Sequence, residues 1–215
     1  QFLSPVGFVD TYFFSMMVVV IPILTIGQGA KLLVRDEEAG ILDLAMSYPL
    51  SRTKLFWARW AAYADGIVLV LLASYLGWII PNKGEGWTMT MGELAQAYLP
   101  LLVIVLLFGM FAFFLSLLLP SFKTASGLTG ALLIGNYLLM GISNIREELK
   151  TVYKFTPMHY YQGGLAAEEL NWEWLLGLLG FTLLFMLLAW LLFERRDIRV
   201  GGEAGWELPG WFKRK

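Results

Sequence analysis

The feature that most constrains this chain is where its charges are missing. Residues 11–30, 98–119 and 175–193 contain no Asp, Glu, Lys or Arg. About 20 mostly apolar residues suffice for a helix to cross the roughly 30 Å hydrocarbon core of a bilayer. Each of these runs is about that long. A helix in a soluble core normally shows one face to water and carries charge there. Apolar residues make up 58% of the 215 and charged residues 15%, against about 25% charged in an ordinary soluble domain. A lone helix satisfies its own backbone in lipid and a lone strand does not. The fold class is therefore all-α and integral to a membrane.

Five spans are expected, at 8–33, 61–80, 98–119, 124–145 and 172–193. Pro22 falls inside the first and is expected to kink it. Pro81 and Pro120 fall just beyond the second and third, where a helix should stop. Trp57, Trp60, Trp78, Trp87, Trp172 and Trp174 gather near span ends, at the headgroup level that suits an amphipathic ring.

Basic residues set the orientation. Lys31, Arg35, Arg52, Lys54, Arg59, Lys123, Arg195, Arg196, Arg199, Lys213, Arg214 and Lys215 fall on one side, and Lys83, Arg146, Lys150 and Lys154 on the other. The richer side is expected to be cytoplasmic. That places the C-terminus inside, in a cell (plasma or inner) membrane, and Gln1 outside. No basic segment precedes the first apolar run, so a further span is expected upstream, six in all. The division expected is a transmembrane domain over 1–200 and a cytoplasmic tail over 201–215.

The connection between the first two spans is the informative one. Asp36, Glu37 and Glu38 precede Ile41, Leu44, Ala45 and Tyr48, which share one face of a helix over 36–48. Carboxylates in a first turn oppose the positive end of the helix dipole. Pro49 ends the helix and Ser51 is placed to cap the next. The apolar stripe either lies on the lipid surface or enters a groove on a partner.

This segment resembles the type-2 ABC transporter permease family, the membrane-domain subunits of ABC exporters. There the pattern runs acidic residue, Gly, aliphatic helix, Pro-x-Ser-Arg and a basic return to the membrane. Glu37 or Glu38, Gly40, Leu42, Leu44, Pro49, Ser51 and Arg52 match it. Ile41, Asp43 and 57–60 depart from its usual Thr, Glu and Gly-Lys. Thr156-Pro157 with the aromatic residues after it, and Arg195-Arg196-Asp197, resemble the family's last external loop and its ending. The resemblance implies a permease without the family's first span, in which 36–48 is a cytoplasmic coupling helix. Asp36, Glu37, Glu38, Gly40, Ile41, Leu44 and Arg52 would then touch a partner ATPase. The chain has no phosphate-binding Gly-x-x-x-x-Gly-Lys-Ser/Thr loop. ATP and Mg²⁺ are accordingly expected on the partner, with no cofactor on this chain. A second permease, identical or paralogous, would complete the path, and the external segment 146–171 would form short helices at the outer mouth.

Other features are weaker. Gly127, Ala131 and Gly135 put small residues on one helix face, with Asn136 beside them. Such a face serves packing within the subunit or a permease–permease interface. Asp65 is an ionisable group in a span, shallow enough to reach the headgroups. His159 is the only histidine and cysteine is absent, so neither a metal site nor a catalytic residue is expected. The net charge of −1 does not suggest nucleic acid as a partner. The rival functions are an ATP-independent channel or carrier, which favours broken helices at related positions, a membrane-embedded enzyme, and a non-transporting assembly subunit on a permease-like fold.

Overall fold

The computed structural model describes residues 4–39, 51–80 and 89–195. Its helices are α1 (Pro5–Lys31), α2 (Val34–Glu38), α3 (Arg52–Leu76), α4 (Met91–Leu118), α5 (Phe122–Ser143), α6 (Lys150–Tyr153) and α7 (Trp172–Arg195). No strand occurs among the described residues. α1, α3, α4, α5 and α7 are long and apolar enough to cross a membrane, and they are the five spans expected.

Two helices begin well before their apolar runs, and capping explains both. Ser51 Oγ accepts from the Lys54 N–H at 3.3 Å and starts α3 at Arg52. Thr90 Oγ1 accepts from the Glu93 N–H, and Glu93 Oε2 accepts from the Thr90 N–H at 2.7 Å. That reciprocal pair satisfies two donors a helix start otherwise leaves open and begins α4 at Met91. The apolar runs expected at 61 and 98 mark only the lipid-depth part of each helix. Pro120 follows α4 as expected, with Leu119 extended before it. Pro22 lies within α1, and Pro100 within α4. Pro81 falls outside the described residues, as does 40–48 of the expected coupling helix.

α4 is the core. Sixteen of its residues are buried, Leu101, Ile104, Val105, Met110 and Ala112 completely. α1 and α7 pack along it, while α3 and α5 lie outside and bury four residues each. Lipid is as apolar as leucine, so helices in a membrane are held by close contact. The closest is between α1 and α4, where a Cβ on Gly29 would lie 2.5 Å from the Gly109 carbonyl oxygen. Tyr63 of α3 covers Gly109 and donates to the Thr25 carbonyl of α1 at 3.1 Å. Three helices thus meet at one point because two of them lack a side chain there.

Candidate functional site

The bundle has two ends. One carries α2 and the starts of α3 and α5, and the other carries residues 144–171.

At the first end α1 stops at Lys31, and Leu33 and Val34, each 1% exposed, anchor the turn into α2. Successive residues of a helix project about 100° apart, so Asp36 and Glu38 point to opposite sides. Asp36 pairs with Arg59 of α3. Glu38 Oε1 accepts from the Phe122 N–H at 3.2 Å, one of the donors left open at the start of α5. A carboxylate is also favoured at that positive helix end. Glu37, between them, is buried within the chain. Lys31 Nζ lies 5.7 Å from the centre of the Phe122 ring, within reach of a cation–π attraction. Thr53 Oγ1 donates to Glu194 Oε1 at 2.5 Å, tying the start of α3 to the end of α7.

These positions qualify the expected partner contacts. The carboxylates of Asp36 and Glu38 are engaged inside the chain, and Glu37 is covered by it. Arg52 opens α3 and is half-buried. Gly40, Ile41 and Leu44 lie outside the described residues. Arg59 counted in the sequence only as one more basic residue; its pairing depends on α3 running back past α2.

At the other end the expected short helices are present: turns at Glu147–Leu149, Pro157–Tyr160 and Gly163–Ala167, with α6 among them. The turn at Gly163–Ala167 packs against α4 and α1. α1 widens to π-helical bonding over Asp10–Phe14, a local irregularity that often marks a functional position. There Asp10 Oδ1 accepts from the Gly164 N–H at 2.7 Å. Tyr161 donates to the Phe14 carbonyl at 3.3 Å. Burial, with Asp10 and Tyr98 adding to it, pushes the Tyr161 phenol well above the usual tyrosine range. Sequence reading missed Asp10. Its only signal was a single carboxylate at the edge of an uncharged run, opposite a Gly-Gly pair 153 residues away.

His159 is surrounded by Tyr153, Tyr160 and Trp174, with ring centres 5.1, 4.9 and 5.5 Å away. No cluster of three or more metal-ligating side chains occurs among the described residues.

On α5, Gly127, Ala131 and Gly135 are exposed, and a Cβ on either glycine would meet nothing within 4 Å. Among the described residues, nothing packs against either glycine. Asn136 donates to the Leu132 carbonyl at 2.7 Å, while its buried Oδ1 has no hydrogen-bond partner among the described residues. Asp65 is exposed on α3.

The family model described as ABC-2 family transporter protein matches residues 1–198. None of the curated proteins matches the chain.

Proposed function

The chain belongs to the ABC-2 family of transporter proteins, and from that premise we propose that it is driven as an exporter subunit by an ATPase on a separate chain. It is a multi-pass membrane permease of an ABC transporter.

The observation that carries it is the connection from α1 to α3. Its acidic helix is stapled to α3 through Asp36 and to α5 through Glu38. A segment held this firmly can deliver a push to the spans, whereas a helix resting on lipid has no need of either staple. Asp36, Glu37 and Glu38 set its pose, and Gly40, Ile41, Leu44 and Arg52 present the surface to the ATPase, which brings ATP and Mg²⁺. The excess of Lys and Arg at this end supports a cytoplasmic position for it and for the C-terminus, in a cell-membrane protein. A second permease copy or paralogue packs on the small-residue face of α5, which the described residues leave bare.

Co-purification under gentle extraction tests the reading. The chain should isolate with an ATPase subunit, and Gly40→Trp or Leu44→Asp should release it. An ATPase that never co-purifies, or that stays bound to both variants, overturns it. Sidedness is tested separately. The chain has no cysteine, so Ile145→Cys alone should react with an impermeant maleimide from outside the cell.

A further inference from the structure

We propose that α2 drives α3 and α5 through two separate latches, Asp36–Arg59 and Glu38–Phe122, so that each outer span can be uncoupled alone. The proposal rests on the ATPase-driven reading above and assigns the path by which the push leaves α2.

The spans are held unevenly. α4 buries sixteen residues and is the fixed centre, while α3 and α5 bury four each and lie outside it. In a membrane no hydrophobic force presses an outer helix onto its neighbours, so a few polar ties weigh more in deciding what moves with what. α2 supplies one tie to each outer helix. With residues about 100° apart, Asp36 and Glu38 diverge by about 200°; a single turn of helix therefore reaches α3 on one side and α5 on the other. The two ties differ in kind. Asp36 meets the Arg59 guanidinium, two turns into α3. Glu38 meets a backbone N–H at the first residue of α5, so it grips the helix end whatever the side chain there.

Glu37 is buried between them, and on a single short turn a displacement of α2 carries both ties together. Lys31, on the Phe122 ring, holds α5 to the end of α1 as well. The latch to α5 has the larger consequence, since α5 bears the bare small-residue face on which the second permease is placed.

The test uses the cysteine-free chain in complex with its ATPase in nanodiscs. One spin-label pair, Ile145→Cys with Trp172→Cys, reports the far end of α5 against α7. A second, Ile80→Cys with Trp172→Cys, reports the far end of α3. All three positions are well exposed. In the parent complex ATP with Mg²⁺ should change both distances. Glu38→Ala should abolish the α5 change and spare that of α3, Arg59→Ala should do the reverse, and the ATPase should stay bound in both. The exchange Asp36→Arg with Arg59→Asp should restore the α3 change, which also guards against a variant that merely folds poorly. Both distances changing as in the parent in each variant overturns the proposal, as does loss of the ATPase from either variant. An ATPase that fails to bind the parent chain instead overturns the functional reading beneath it.

Discussion

Asp10 and Gly164, 154 residues apart, are joined by a 2.7 Å hydrogen bond in which the carboxylate of one accepts from the backbone N–H of the other. The bond fastens the turn Gly163–Ala167 to the π-helical stretch of α1. Space for it exists only because both neighbouring residues are glycine. Gly163 has φ +57°, where a side chain is strained. A Cβ on Gly164 would lie 2.8 Å from the Asp10 Cα.

Gly164→Ala should therefore destabilise the fold by about 1–3 kcal/mol, the usual cost of overpacking. Backbone has to move, because the clash is with backbone. Asp10→Asn keeps an acceptor oxygen and should cost less than Asp10→Ala, which strands a buried N–H at about 1–3 kcal/mol. Thermal unfolding in nanodiscs and protease sensitivity of 144–171 would measure the order; Asp10→Asn as damaging as Asp10→Ala would refute it.

The crossing at Gly29 and Gly109 yields a graded pair. Gly29→Ala drives a methyl group into the Gly109 carbonyl, whereas Gly109→Ala first meets the Tyr63 hydroxyl at the tip of a side chain. The first should be the more destabilising, towards the upper end of about 1–3 kcal/mol. Adding Tyr63→Phe should recover part of the loss in Gly109→Ala and none in Gly29→Ala. Unfolding midpoints of the four variants decide it.

On α5 the expectation is the opposite. A Cβ added at Gly127 or Gly135 meets nothing within 4 Å among the described residues, so in Gly127→Leu and Gly135→Leu the subunit's own stability should change by no more than about 0.5 kcal/mol. If this face receives a second permease, the dimer fraction in cross-linking or mass photometry should fall sharply. An unchanged dimer would remove α5 from the interface.

Tyr153, in α6, is pushed up to about 12 by burial, and its hydroxyl donates to the Met158 carbonyl at 2.9 Å. A raised value in the folded state means the neutral phenol is favoured there. Its contribution to stability is thus complete below the ordinary tyrosine value near 10 and fades as pH rises through about 12. Tyrosinate absorbance titrated in the parent and in Tyr153→Phe should differ by one step near that upper value. A step near 10 would show that the phenol is not shielded.

The sequence by itself determined that the chain is a helical membrane protein with five spans, because a stretch without charge is a local property and lipid imposes helix on it. It placed Ser51 as a cap, Pro120 as a stop and the acidic run 36–38 in a helix between spans, since each depends on a few adjacent residues. It also carried the family likeness, which the match over 1–198 bears out. Only the tertiary structure decided what those residues touch. That Asp36 meets Arg59, that Glu38 meets the start of α5 and that Asp10 meets Gly164 are contacts between elements far apart in the chain. The small residues divided the same way. Gly127 and Gly135 carry the spacing of a packing face yet are bare among the described residues, while Gly29 and Gly109, neither with a glycine four residues away, make the closest crossing. Periodicity identifies which residues share a face of one helix. The position of α4 at the centre determines which of those faces is covered.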